Sequence, residues 1–218
     1  MIMIKKISWI LFAALSIIIG LYPLQYFLIA GRVGILNSKP AWLLTDTFWN
    51  VAFYTHIILG GLALLIGWVQ FSSKLRIKTP LLHRQVGKIY VGSVLLSSLA
   101  GFYIALFADE GPWTSFGFAC LAVIWFYTTL RAYLTVKKKQ FLTHQIMMVY
   151  SYASCFAAVT LRIWLPILIS IIGNYRSAYI IVAWWCWLPN LFIAYLIVKG
   201  LKHKNEPDGL EPAETINR

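Results

Sequence analysis

Four residues in this chain combine a reactive or charged side chain with a strongly apolar setting: His56, His83, His144 and Arg162. A neutral imidazole ligates metals and exchanges protons, and a guanidinium grips a carboxylate, propionate or phosphate through a planar fork of donors. Each histidine also opens a seam of small or polar residues repeating at three- and four-residue intervals, the spacing that keeps one helical face. The first seam runs His56, Gly60, Ala63, Gly67 and Gln70. The second runs His83, Gly87, Tyr90, Val94, Ser97 and Gly101, and the third runs His144, Met148, Ser151, Cys155, Ala158 and Arg162. Close packing of membrane helices accounts for the small residues by itself. It does not account for the histidines and the arginine.

His83 and His144 each stand at the entry of a helix, beside a basic turn and at the same level. If their helices are neighbours, the two imidazoles suit ligation of one b-type haem iron from opposite faces, which makes His83 and His144 the candidate metal ligands. Gly87, one turn on, leaves room for a porphyrin edge, and Arg84, with Lys88 and Arg76, is placed to hold the propionates. The cofactor-binding set is therefore His83, His144, Arg84 and Gly87. The plainer alternative is that both imidazoles cap helix entries where water is available.

His56 and Arg162 form a second group. They lie roughly 9 Å and 15 Å below the outer ends of their helices, the ends away from the basic turns, at about 1.5 Å per residue, and so share one half of the bundle. An arginine at that depth costs at least ~2.5 kcal/mol, and no acid lies in any apolar run to pair with it. Backbone carbonyls, His56, a wet cavity or an anionic ligand are its options. His56 and Arg162, together with Gln70 and Asn190, are the candidate ligand-binding residues, with a quinone or a small organic anion as the ligand. Pro166 and Pro189 are expected to interrupt the fifth and sixth helices. Trp184, Trp185 and Trp187 either line an aromatic cavity or anchor the outer half.

The elements that must position these residues follow from composition. The chain has 218 residues, 60% hydrophobic and only 12% charged. Soluble domains carry about 25% charge, which excludes an ordinary cytosolic enzyme. Six apolar runs, near 7–30, 51–72, 89–108, 115–136, 146–172 and 178–198, are each long enough to cross a bilayer as a helix. The expected fold is all-α, a polytopic bundle of six transmembrane helices over 1–204, followed by a polar, disordered tail over 205–218. The net charge is +12. Apart from Arg32, Lys39, Arg176 and the intramembrane Arg162, every basic residue falls on one side of this arrangement. That places both termini in the cytoplasm of a bacterial inner membrane and removes the need for nucleic acid as a partner. Cys120, Cys155 and Cys186 all lie in apolar runs and read as small core residues. No Walker, Rossmann, zincin, nucleophile-elbow or CxxC motif occurs.

One stretch carries a resemblance. The matching pieces are His56-x3-Gly60-x2-Ala63-Leu64-x2-Gly67-x2-Gln70-Phe71 and Leu75-Arg76-x3-Pro80-x2-His83-Arg84-x2-Gly87-Lys88-x-Tyr90, completed by His144 and Thr160-Leu161-Arg162. Together they resemble a family of uncharacterised bacterial predicted membrane proteins, a domain of unknown function. The resemblance implies a helical membrane domain with these polar residues in its site, and it brings no reaction. Gln145 departs from the basic residue that similar proteins often have after the histidine. A looser likeness is to transmembrane b-type cytochromes and ferric reductases, which pair histidines on alternate helices. The fourth run has no histidine to pair with His56, so one haem is expected and not two. Three functions stay open at this point. The chain could be a membrane oxidoreductase passing electrons through haem to a quinone, a non-enzymatic transporter or binding protein for an organic anion, or an assembly or scaffold protein in a membrane complex.

Overall fold

The structure, a computed structural model, describes residues 2–205, with side chains described for 6–203. The tail expected to be disordered therefore lies, beyond Asn205, outside the described residues. Eight longer helices carry the fold: α1 (Ile2–Leu21), α2 (Thr47–Gly67), α3 (Pro80–Ala105), α4 (Pro112–Lys137), α5 (Phe141–Cys155), α6 (Ala157–Ile172), α7 (Tyr175–Trp185) and α8 (Leu188–Asn205). They make six stretches long and apolar enough to cross a membrane: Lys6–Leu28, Thr47–Phe71, Pro80–Ala105, Pro112–Lys137, Phe141–Ile172 and Tyr175–His203. No strand occurs among the described residues. The third span begins at Pro80, well before its apolar run. Hydropathy falls in the basic stretch, but the backbone is helical there, and Pro80 opens it at a position that needs no amide donor.

The fifth and sixth spans are each broken in two. Pro166 was expected to interrupt the fifth, yet it sits inside α6 without ending it. The break comes instead at Phe156, whose carbonyl accepts from both Val159 and Thr160 in a tight turn. Pro166 still has a consequence: lacking an N–H, it cannot bond to the carbonyl four residues back, which is that of Arg162. The sixth span breaks around Cys186–Trp187, and Pro189 lies in the first turn of α8. Asn190 Nδ2 donates to Cys186 O at 3.0 Å and to Thr160 Oγ1 at 3.1 Å, so the amide repairs the break and ties it to α6. α6 ends on Gly173, whose positive φ of 72° suits the left-handed cap.

Packing runs α1 on α2, then α2–α3, α3–α4 and α4–α5, with α7 against α4 and α6 and α8 against α5. The bundle is inside-out relative to a soluble protein. Its interior is rich in small residues such as Ala63, Ser97, Ala132, Ser151, Ala178 and Ala183, while Ile10, Phe48, Val51 and Phe192 point outward. Lipid is as apolar as leucine, so helices approach through small residues and interior hydrogen bonds. All three seams read from the sequence contribute to that interior, and Tyr90, Val94, Ser97, Ser151 and Cys155 are buried along them. A ladder of hydroxyls crosses the centre: Tyr90 Oη to Ser151 Oγ at 2.8 Å, and Ser151 to Thr129 Oγ1 at 2.6 Å. Beside it Tyr152 Oη reaches Ser16 Oγ and Leu64 O, each at 3.0 Å.

Candidate functional site

The polar residues separate into two groups at opposite ends of the bundle. At the end carrying the basic turns, α3 presents His83 and α5 presents His144, each at the fourth position of its helix. His83 lies within electrostatic reach of His144, Arg76 and Arg84. His144 Nδ1 sits 2.8 Å from Ala132 O on α4. A carbonyl oxygen can only accept, so Nδ1 carries a proton, and the neutral ring has its lone pair on Nε2. His83 Nδ1 is buried with no hydrogen-bond partner among the described residues, and Gln70 Nε2 is in the same condition. Gln70 lies beside Gly87: a Cβ there would stand 3.7 Å from Gln70 Oε1. Gln70 thus belongs with the His83 group and not with His56. Arg84 is exposed.

At the opposite end the helices part around a cavity of about 700 Å³, within the range of pockets that hold small molecules and cofactors. His56 of α2 and Arg162 of α6 both line it, as their shared half of the bundle implied. His56 Nδ1 is 2.9 Å from Ser97 O on α3, and the Ser97 hydroxyl donates to His56 O at 2.9 Å. Gly101 makes room for the ring, since a Cβ there would fall 2.7 Å from His56 Nδ1. The imidazole is clamped from two sides by α3.

Arg162 takes two of the options open to a buried cation without a counter-ion. Its Nη1 donates to Ala158 O at 2.7 Å, and the guanidinium carbon stands 4.1 Å from the centroid of the Tyr22 ring. Its Nε is buried without an acceptor. Among the described residues the acids are Asp46, Asp109 and Glu110, and each is engaged elsewhere: Asp46 caps α2, Asp109 pairs with Lys39 and Glu110 with Arg176. The cavity therefore holds an uncompensated positive charge in apolar, aromatic surroundings. Trp49 stacks on Phe53 at 5.1 Å along its wall, and Trp125 contributes a second indole.

Asn190 does not line this cavity, and its NH2 group is directed to Thr160 Oγ1 on α6, Ala153 O on α5 and Cys186 O. Trp184, Trp185 and Trp187 are not among the cavity's residues either. Trp184 and Trp187 donate to backbone carbonyls of Trp113 and Ala183, and Trp185 faces outward. Sequence reasoning missed Tyr22, Tyr26 and Lys39. Tyr22-Pro23, where the first apolar run meets a helix-stopping proline, was the available signal for the tyrosines.

Lys39 closes the rim. Its side chain is 3% exposed, with Nζ 2.7 Å from Asp109 Oδ1 and 2.6 Å from Phe107 O, while Ser38 Oγ holds the other carboxylate oxygen at 2.7 Å. These bonds strap the 34–39 turn to the end of α3. Lys39→Met is expected to lower stability by about 2 kcal/mol, because it strands a partly buried carboxylate. Lys39→Met combined with Asp109→Leu should recover at least half of that loss, read as melting temperature of the purified protein in detergent.

No curated protein and no solved structure matches this chain. The looser likeness to cytochromes and ferric reductases gains no support from them. A family model described as "Predicted membrane protein (DUF2306)" matches residues 53–198, about two-thirds of the chain. The match takes in His56, His83, His144 and Arg162 and leaves Tyr22, Tyr26 and Lys39 outside. With six apolar spans, an all-helical bundle and this match, the chain belongs to that family of predicted membrane proteins.

Proposed function

We propose that the protein is a bacterial inner-membrane protein, both termini cytoplasmic, that binds a membrane-soluble small molecule in the cavity between α2, α3 and α6. The distribution of basic residues supports the orientation. The observation that carries the binding reading is Arg162, a cation in an aromatic-walled cavity with no carboxylate partner and an unused buried donor. Such a group is matched by an oxygen acceptor on an apolar body, as in a quinone carbonyl or the carboxylate of an organic anion. Thermal denaturation in detergent, with a short-chain ubiquinone analogue in one series and an aromatic carboxylate in another, separates the two sources. A ligand at 100 times its Kd should raise stability by about 2.7 kcal/mol. No shift with either compound at saturating concentration would contradict the reading.

A specific geometry favours a second reading at the other end. His144 is held by a carbonyl in the tautomer that leaves Nε2 free to ligate, the outer-shell bond common behind metal-binding histidines. The buried Nδ1 of His83 and Nε2 of Gln70 want partners. Two imidazoles with basic side chains near them are the donor set a haem takes: His83 and His144 would hold its iron, and Arg76 and Arg84, close to His83, would supply charge for its propionates beside Gly87. A haem bound there would supply one-electron transfer. The protein's own part would be to fix the tautomer of His144, bring His83 to the same end of the bundle and place positive charge beside it. Protein purified from haem-replete cells is expected to show a Soret band that disappears in both His83→Ala and His144→Ala. Its absence even after haem reconstitution would remove this reading.

A further inference from the structure

The binding of an oxygen-headed molecule beside Arg162 is a premise here, and the geometry around His56 says more about that molecule. His56 Nδ1 faces the main-chain carbonyl of Ser97 at 2.9 Å and the Ser97 hydroxyl oxygen at 3.2 Å. The Ser97 hydroxyl proton is already directed to His56 O. Two acceptors thus meet Nδ1, so it must carry the hydrogen, and the neutral ring has its lone pair on Nε2. The ring cannot turn over without placing a bare C–H against the Ser97 carbonyl. Nε2 has no hydrogen bond among the described residues, and His56 lines the cavity, so this lone pair is what the imidazole offers a guest.

The cavity consequently presents two polar groups of opposite kind. Arg162 only donates, and His56 Nε2 only accepts. A quinone satisfies the first and sets a carbonyl oxygen against a lone pair at the second. A carboxylate does the same and adds a charge. A molecule with an acceptor oxygen at one point and an O–H at another satisfies both. The stacked Trp49–Phe53 pair and Trp125 supply flat walls for a ring between them. We propose that the cavity selects an aromatic diol of the hydroquinone class, one oxygen accepting from Arg162 and the other donating to His56 Nε2. His56 is then the residue that tells the reduced, hydroxyl-bearing ligand from its oxidised counterpart. A buried acceptor left without a donor penalises the wrong ligand more than the matched bond rewards the right one.

The test is an anaerobic titration of the full-length protein in lipid nanodiscs, with quenching of intrinsic tryptophan fluorescence, to which Trp49 and Trp125 of the cavity contribute, as the signal. The probes are a short-chain ubiquinol, the matching ubiquinone and the dimethyl ether of the quinol. Wild-type protein should bind the quinol about tenfold more tightly than the quinone or the ether. His56→Asn, whose amide can still donate to Ser97 O but offers nothing at the Nε2 position, should lose that preference, chiefly because the quinone, no longer set against a lone pair, binds more tightly. His56→Gln, which can set an amide oxygen near Nε2, should keep part of it. Equal affinities for quinol, quinone and ether in the wild type would overturn the proposal while leaving ligand binding intact, and the same holds if His56→Asn retains the full preference. Absence of binding by all three in the wild type would defeat both this inference and the function on which it rests. Should His56→Asn fail to fold, the wild-type comparison of quinol with ether decides the matter alone.

Discussion

Arg162→Leu is expected to weaken binding of a short-chain ubiquinone analogue about 100-fold, or ~2.7 kcal/mol, without lowering the melting temperature of the ligand-free protein. The two halves of that expectation come from one fact. A buried charge is dangerous to remove when a partner of opposite sign stays behind. Here no partner exists: Arg162 gives one donor to Ala158 O and one face to Tyr22, and no carboxylate among the described residues depends on it. Leucine would relieve an arginine whose depth costs at least ~2.5 kcal/mol, so the empty bundle should lose nothing. The ligand would lose its charge-assisted bond. Arg162→Lys should fall between, near tenfold weaker, because an ammonium keeps the charge but not the planar fork. A fall in melting temperature with unchanged ligand affinity would instead mark Arg162 as a packing residue.

Gly67→Ala is the largest stability effect to expect, about 3 kcal/mol, measured by thermal or denaturant unfolding in detergent. A Cβ at this position would lie 2.7 Å from Tyr90 Cε2 and closer still to the Tyr152 ring. Neither ring can retreat. Tyr152 is pinned by its bonds to Ser16 and Leu64 O, and Tyr90 by its bond to Ser151, so the added methyl must push α2 away from α3 and α5. Gly92→Ala makes the same chemical change on the outward face of α3, where nothing lies within 4 Å of the new atom, and should alter stability by less than ~0.5 kcal/mol. Equal effects at the two sites would mean that the seam does not carry the packing.

The seams were legible because membrane helices announce their contacts through residue size: Gly60, Ala63, Gly67, Ser97, Gly101 and Ser151 recur at helical spacing and proved to lie where helices meet. Counting residues from the outer helix ends put His56 in the same half as Arg162, and both line the cavity, while the basic turns put His83 and His144 at the other end. Other features were hidden for physical reasons. Asn190 looked like a ligand contact, but a single amide beside a helix break has backbone carbonyls to satisfy first. Gln70 belongs to the His56 seam in sequence, yet one seam crosses the whole bundle, and its far end reaches Gly87. Tyr22 and Tyr26 sit where aromatic residues belong at any membrane interface, so composition gives no hint that they face inward. Lys39 lies in a loop, and only the folded turn reveals that its charge is spent on Asp109 at the cavity's rim.

The central claim is that a membrane-soluble ligand occupies the cavity beside Arg162. Photolabelling tests it most directly: the full-length protein in lipid nanodiscs is irradiated with an azido-ubiquinone analogue, with and without excess unlabelled quinol, and the labelled residues are read by mass spectrometry. Label that concentrates on Tyr22, Tyr26, Leu161 and Leu165, and that the competitor removes, is the predicted result. Label confined to outward-facing residues such as Phe192 and Ile193, unchanged by competitor, would contradict it.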